Sequence, residues 1–234
     1  MDATHILATH LDNYPHAIGK VVDFDAGNDK LFPLDLTADN TELNAGLIAD
    51  TQKFDEWLTA KLKATGCRYA VGGYMEHRTI YAGRSLFDEG DEPRRLHLGV
   101  DIWAVAGTPV YAPLPGIVHS FQDNDNFGDY GPTIILQHDI TGLTLYSLYG
   151  HLSRASLLHL AVGQVIDKGT QIATFGAIPE NGHWSPHLHF QLMLDMQGKQ
   201  GDYPGVAKFS EKESWLDIIP DPNLILQFPG VAKS

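Results

Sequence analysis

The sequence has little cysteine, few basic residues and no long apolar run. Cys67 is the only cysteine among 234 residues, so an intrachain disulfide is excluded. Only 16 Lys and Arg stand against 29 Asp and Glu, which gives a formal net charge of -13. That negative field repels phosphate backbones and anionic lipid surfaces, so we expect neither a nucleic-acid nor a membrane partner. No stretch approaches the roughly 20 apolar residues of a transmembrane helix.

Features of a secretory signal are also missing. The first ten residues, MDATHILATH, lack both a basic start and a continuous apolar stretch. The single cysteine is compatible with a reducing compartment. We therefore expect a cytoplasmic protein, or an extracellular or periplasmic one if a signal has been removed. The sequence does not indicate the oligomeric state.

The residue composition and the hydrophobic pattern change along the chain and divide it into three regions. Residues 1–70 form an N-terminal extension, residues 71–222 a β domain and residues 223–234 a C-terminal tail. The first forty residues mix polar residues and proline with short apolar pieces. We expect these pieces to be extended segments that pack on the main body.

One stretch of the extension has helical periodicity. Phe54, Trp57, Leu58 and Leu62 fall on one stripe, which predicts a single amphipathic helix over about 50–65. Gly66 suits the position that ends such a helix. We expect the stripe to pack against the core of the domain.

The remainder of the chain has the pattern of β-structure. Short β-branched or aromatic stretches, such as 116–121, 133–138 and 143–149, alternate with Gly, Pro, Asn and Asp. This spacing predicts a mainly β fold built on an antiparallel sheet. The pieces AGTPV at 106–110 and KGTQI at 168–172 are weakly alike and suggest a duplicated β unit.

Histidine is abundant, and three short strings containing it stand out. They are HLGVD at 97–101, YGHLS at 149–153 and HLHF at 187–190. Neutral imidazole and carboxylate are good zinc ligands, and three protein ligands with an open fourth position are typical of catalytic zinc. The three strings occur in this order within one β-rich region, and together they predict a metal site.

The spacing within the strings limits how they reach a shared ion. His187 and His189 alternate in a strand and project to the same face, so one can bind metal while the other acts on water. His97 and Asp101 would lie roughly 13 Å apart in a straight strand, which is too far for shared ligation. The chain must therefore bend between them, and Gly99 permits the bend.

These strings resemble the signature of the lysostaphin-type zinc metallopeptidases, which cleave glycine-containing peptide bonds of peptidoglycan. The resemblance covers about residues 95–192 and implies the duplicated hybrid motif fold. It also implies one zinc ion bound by His97, Asp101 and His189. His151 and His187 match the two catalytic histidines of the family that do not bind metal.

The chemistry implied by this resemblance is hydrolysis of a peptide or small amide by activated water. Zinc lowers the pKa of water and polarises the scissile carbonyl. One of His151 and His187 would act as the general base while the other stabilises the oxyanion and leaving amine. The sequence leaves open which histidine has which role.

A longer stretch, residues 74–222, resembles the peptidase-like segment of multidomain proteins that also contain a class III aminotransferase-like domain. This resemblance favours a cytoplasmic role on a small peptide or amide. Glu76, Arg78 and Arg84 are then expected to bind substrate. Asn181 and Trp184, which precede the HLHF strand, are two further expected substrate-binding residues. The first three alternatively form a surface ion pair, and the last two an ordinary exposed turn.

Two other functions are compatible with the same pattern. The first is a non-catalytic zinc-binding or regulatory module on this fold, although such relatives usually lose ligands and all three are present here. The second is a sugar-phosphotransferase carrier domain, whose facing histidines pass a phosphoryl group. That second function leaves Asp101 and His189 without a role.

Overall fold

The computed structural model describes residues 2–13, 18–81, 87–88 and 90–231. Within them, β-strands dominate and helices are few. The strands are β1 Leu31–Pro33, β2 Tyr69–Gly72, β3 Arg94–His97, β4 Val100–Trp103, β5 Pro109–Tyr111, β6 Gly116–Asn124, β7 Gly131–Ile140, β8 Leu143–Gly150, β9 Val165–Ile166, β10 Gln171–Thr174, β11 His187–Met193 and β12 Val206–Lys208. The α-helices are α1 Ala3–Asp12, α2 Ala45–Ile48, α3 Thr51–Thr65, α4 Lys212–Leu216 and α5 Asn223–Leu226.

Eight of these strands form one sheet in the order β1-β2-β4-β11-β8-β7-β6-β9. Every pairing in it is antiparallel except that of β1 with β2. Two small antiparallel sheets, β10-β5 and β12-β3, lie beside it. The prediction of a mainly β, antiparallel fold is confirmed. None of the helices among the described residues is long and apolar enough to cross a bilayer.

Helix α3 is the helix that the periodicity predicts. Asp50 caps it, because its carboxylate accepts from the backbone N–H groups of Gln52 and Lys53. Gly66 ends it in the left-handed conformation, at φ 66°. Phe54 and Leu58 are its buried residues, and both belong to a cluster on the side of the sheet edge that the extension covers.

The expectation of extended segments in the first forty residues is wrong for α1, and α2 is a further helix that the prediction did not include. Asp2 caps α1 by accepting from His5 N–H at 2.7 Å. Leu7 and Leu11, one helical turn apart, are buried against the main core. The intervening His and Thr residues dilute the apolar stripe, which made the period hard to recognise.

The N-terminal extension continues the main sheet. Strand β2 pairs with β4 in the register Ala70 to Trp103, Val71 to Ile102 and Gly72 to Asp101. Strand β1 then pairs with β2 and forms the outer edge. Two consequences follow: β4 lies in the interior of the sheet, and residues ahead of β3 lie next to Asp101.

Candidate metal centre

Three neighbouring strands position the predicted metal ligands. His97 is the last residue of β3, Asp101 lies in β4 and His189 lies in β11. Strands β4 and β11 are antiparallel, and their register places Asp101 directly opposite His189. The break between β3 and β4 turns His97 back toward the other two side chains. All three are buried, with 0 to 3% of their surface exposed.

One atom from each side chain meets the others in a small triangle. His97 Nε2 lies 3.0 Å from His189 Nδ1 and 3.2 Å from Asp101 Oδ1, and His189 Nδ1 lies 2.9 Å from Asp101 Oδ1. Tetrahedral zinc with bonds of about 2.0–2.1 Å places its ligand atoms about 3.3 Å apart. The triangle is therefore close to one face of a zinc coordination tetrahedron.

The outward hydrogen bonds of the two histidines show that the triangle needs a cation. His97 Nδ1 donates to the carbonyl of Gly73 at 2.9 Å, which leaves Nε2 with its lone pair. His189 Nε2 donates to Gln191 Oε1 at 2.9 Å, which leaves Nδ1 with its lone pair. Gln191 is fixed in this orientation because its Nε2 donates to the Pro204 carbonyl. Two lone pairs and a carboxylate oxygen then converge, and a bound zinc ion satisfies all three.

Gly99 allows this convergence by its lack of a side chain. A Cβ at this position would lie 2.7 Å from the Cε1 and Nε2 atoms of His189 and 2.7 Å from the Phe190 carbonyl oxygen. Such contacts are closer than packed atoms allow, so any larger residue would displace the ligand ring. The sequence predicted a bend at Gly99, and the structure adds this close approach of the His189 ring.

The second oxygen of Asp101 is held by a buried guanidinium. Arg78 Nη1 donates to Asp101 Oδ2 and to the Tyr81 hydroxyl, and Arg78 Nε donates to Glu76 Oε2 at 2.7 Å. Arg78 is only 1% exposed. Burial alone would raise the pKa of Asp101, but His97, Arg78 and the hydrogen bonds it accepts hold that pKa well below its usual range. The carboxylate is therefore ionised and oriented.

The two remaining histidines of the strings form a pair beside the triangle. The rings of His151 and His187 lie 4.1 Å apart between centroids, and His187 also stacks on Trp103 at 5.2 Å. His151 Nδ1 donates to the Asn181 carbonyl at 2.8 Å, and His187 Nδ1 donates to the Ser185 carbonyl at 2.7 Å. Both Nε2 atoms are consequently the unprotonated nitrogens.

Burial keeps these histidines neutral. It lowers the pKa of His187 to about 4 and holds the pKa of His151 well below its usual value, the latter with help from nearby His187. Burial and then the Arg78 charge lower the pKa of His97 to about 3. A neutral imidazole can accept a proton or bind a metal, so the charge state suits both roles.

The left-handed backbone at His151, with φ 61°, is held by three hydrogen bonds around one residue. Its N–H donates to the Tyr130 carbonyl at 2.8 Å, and its carbonyl accepts from Gly176 N–H at 2.9 Å. The ring bond to Asn181 is the third. A left-handed non-glycine residue is strained by roughly 1–3 kcal/mol, and such strain persists where surrounding contacts fix it.

The metal ligands Asp101 and His189 and the pair His151 and His187 open into one cavity of about 320 Å³. Of the residues predicted to bind substrate, Arg78 and Trp184 line this cavity. The hydrogen-bonding atoms Nε and Nη1 of Arg78 are engaged within the protein.

The other predicted substrate residues have different positions. The Glu76 carboxylate pairs with Arg78 and accepts from Leu36 N–H. The buried Asn181 side chain bonds backbone groups of Gly176 and Trp184, so it organises the turn ahead of β11. Arg84 lies outside the described residues.

Sequence reasoning missed two residues of the site. Gln191 fixes the ring of His189, as described above. Tyr130 lines the cavity, and its hydroxyl lies 3.4 Å from His189 Nε2. Gln191 had a readable signal, because it lies two positions after His189 and alternation places both on one strand face. Tyr130 had none, since it lies in a turn far from the three strings.

This set of two imidazoles and one carboxylate is typical of a catalytic zinc site. Residues 95–202 match the family model described as Peptidase family M23. That stretch holds the three predicted metal ligands and the His151–His187 pair, and it is similar to the M23 zinc metallopeptidases. Arg78 and Glu76 lie ahead of the matched residues.

Three comparisons illustrate the similarity. The peptidoglycan DD-endopeptidase ShyA of Vibrio cholerae is 28% identical over 135 residues, which are 52% of this chain and 29% of that protein. The L-Ala--D-Glu endopeptidase of Bacillus subtilis is 30% identical over 125 residues, which are 50% of this chain and 36% of that protein. The chain thus spans only about a third of the length of these two relatives. The catalytic domain of lysostaphin from Staphylococcus simulans aligns with 25% identity and a TM-score of 0.44, over 74% of this chain and 98% of that one.

Proposed function

We propose that this protein is a zinc-dependent endopeptidase or amidase that hydrolyses a peptide-like bond. The observation that carries the proposal is the triangle of His97 Nε2, Asp101 Oδ1 and His189 Nδ1 beside two neutral histidines in one cavity. A structural zinc site is closed by four protein ligands, whereas these three form a single face. The open side is the one a hydrolytic site requires.

The protein's own residues supply the acid-base chemistry. Both His151 and His187 carry their proton on Nδ1, so each presents Nε2 as a base toward the cavity. One Nε2 takes the proton of the attacking water and later returns it to the leaving amine. The Tyr130 hydroxyl lines the same cavity and is a hydrogen-bond donor that stabilises the developing oxyanion. Bound zinc supplies Lewis-acid activation of the water and the carbonyl.

The substrate and location belong to the same proposal. One relative described above is named as a peptidoglycan endopeptidase and the other as an L-Ala--D-Glu endopeptidase, which supports a substrate with a peptide bond of this kind. The finer resemblance of residues 74–222 to the segment fused with aminotransferase-like domains favours a small cytoplasmic peptide or amide instead. The charge of -13 gives no attraction to an anionic wall, and it supports the cytoplasmic alternative.

To test this, the zinc-loaded protein is incubated with a panel of muropeptides and of free peptides containing glycine or D-alanine. Mass spectrometry then detects the cleavage products. His187→Ala is expected to retain one zinc per chain and to lose about 10²- to 10⁴-fold in kcat. His189→Ala is expected to lose both zinc and cleavage. His119→Ala, a half-buried histidine that bonds Ser120, is the matched control and keeps full activity.

Two outcomes would contradict the proposal. Wild-type cleavage by the double variant His151→Ala, His187→Ala would remove the histidine pair from the chemistry. Zinc binding at one ion per chain without cleavage of any panel member would favour the non-catalytic module.

A further inference from the structure

The cavity at the metal centre has one wall that the family-matched stretch does not supply. We call the described residues ahead of β3 the leading segment. Six of its residues line the cavity. One is Arg78, whose guanidinium is bound to Asp101, and the other five are apolar or aromatic: Leu36, Phe54, Ile80, Tyr81 and Phe87. They are buried, at 0 to 7% exposed, and they belong to one hydrophobic cluster with Trp103 and Trp184.

The wall is fixed to the turn that precedes β11. Ser185 Oγ donates to Asp55 Oδ1 at 2.7 Å, and Thr51 Oγ1 donates to the His183 carbonyl at 3.0 Å. The Tyr81 ring meets the edge of Trp184 at 6.1 Å. Helix α3 therefore docks on the turn whose Ser185 carbonyl orients the catalytic His187. Opening the wall would disturb that histidine, so the wall is part of the site.

The cavity is small. Its 320 Å³ lies near the lower end of ligand pockets, which span roughly 300–1,000 Å³. The ligands and the histidine pair are at most 6% exposed. A site of this size accepts a short ligand more readily than a strand within a cross-linked polymer.

The cavity lining also includes four charged residues, which we call the rim. They are Arg94, Lys199, Asp129 and Asp202, so charges of both signs line the same cavity as the apolar wall. A ligand that matches both sides has an apolar side chain toward the wall and a charged end toward the rim. A short peptide with free termini has this character.

We propose that the leading segment is a specificity wall, and that the substrate is a short peptide with an apolar side chain beside the cleaved bond. This inference rests on the proposed function and narrows its substrate class. It assigns the selection of substrate to residues that lie outside the family-matched stretch.

A length series on the full zinc-loaded chain tests the first half of the inference. One cleavable peptide is extended by single residues at each end in turn, and isolated peptidoglycan sacculi serve as the polymer. We expect extension at one or both ends to lower kcat/KM by about tenfold or more, and sacculi to be poor substrates. Equal rates across the series, or faster release from sacculi, would overturn the wall.

Side-chain selection tests the second half. We expect the wild type to favour Leu over Ala beside the cleaved bond by about tenfold, since each methylene in an apolar pocket contributes a measurable factor. Phe54→Ala enlarges the cavity and should reduce that preference. Leu58→Ala is the matched control, because it truncates the same helix and cluster but does not line the cavity. If both variants lose the preference equally, the wall residues contribute to folding and do not select the substrate.

Binding of the same peptides to zinc-loaded His187→Ala by calorimetry separates this inference from the proposed function. If short apolar peptides bind selectively but the wild type does not cleave them, the specificity wall is supported and the proposed peptidase activity is rejected. If the wild type cleaves peptides without preference for length or side chain, the peptidase activity is supported and the specificity wall is rejected. Absence of both binding and cleavage would overturn both.

Discussion

Arg78 and Asp101 form a buried pair in which the guanidinium binds the carboxylate oxygen that faces away from the metal triangle. Arg78 also binds Glu76 and Tyr81, so three groups depend on one side chain. Because the pair is enclosed, removal of the arginine leaves a buried carboxylate without its charge partner. The arginine acts through the ligand and is a positioning residue.

The first prediction concerns this pair. Arg78→Met is expected to weaken zinc binding by about 10- to 100-fold, the range for outer partners of metal ligands. Arg78→Lys should fall between it and the wild type, because an ammonium cannot span all three partners. Competition with a chromophoric chelator measures the affinity. Arg68→Met removes an arginine whose ion pairs to Asp23 and Asp29 are half-exposed, and it should leave zinc affinity unchanged.

The second prediction concerns Gln191, which accepts from His189 Nε2. Gln191→Leu removes the acceptor that fixes the tautomer, so zinc affinity should fall by about tenfold or more. Gln191→Glu should restore or strengthen binding, since a carboxylate raises the basicity of the ligand ring. If the leucine variant binds zinc as the wild type does, the tautomer is fixed by other contacts.

The third prediction concerns Gly99. Gly99→Ala introduces a Cβ only 2.7 Å from the His189 ring, so we expect a loss of about 1–3 kcal/mol in unfolding free energy and weaker zinc binding. Chemical denaturation with and without zinc measures both effects. Gly73→Ala is the comparison, because its nearest contact beyond the chain neighbours would be 3.8 Å away. The idea fails if both substitutions are equally tolerated.

The fourth prediction concerns His138, a buried histidine away from the metal centre. Its Nδ1 donates to the Pro115 carbonyl, Ser147 donates to its Nε2, and burial lowers its pKa. Above about pH 6.5 the residue is neutral in both the folded and unfolded states, so stability does not depend on its protonation. Below that pH the unfolded chain binds the proton more strongly than the folded protein does. The free energy of unfolding therefore decreases as the pH falls from about 6.5 to the lower pKa of the folded protein.

Comparison with His138→Gln isolates this contribution. The difference in unfolding free energy between wild type and variant should shrink by up to about 1.4 kcal/mol per pH unit below 6.5. Urea titrations of both proteins at a series of pH values provide the measurement. A difference that stays constant down to pH 5 would mean that His138 is not the titrating group.

The structure brings the three predicted metal ligands together, and the sequence could indicate them because each lies in a short local string. Four-residue spacing with Gly99 between His97 and Asp101, and alternation at His187 and His189, are local patterns. The orientation of the ligands was not readable in the same way. Arg78 reaches Asp101 only after β2 has paired with β4, and no local period encodes that pairing.

The fold shows the same division. Strands of the main sheet have repeated β-branched runs between turn residues, and the prediction of an antiparallel β domain followed from them. Strands β1 and β2 have three and four residues. Every residue of β2 is buried, so it shows no alternation. Its place in the sheet is known only from its pairing with β1 and β4 in the structure.

The pairing of β2 with β4 has a consequence for solubility. In a fragment cut to the family-matched residues, β4 would be an outer strand with a row of unpaired N–H and C=O groups beside Asp101. Bare edges of this kind recruit strands from other molecules. The leading segment therefore covers this edge and prevents self-association through it. Asp101, the predicted metal ligand next to the edge, depends on that cover.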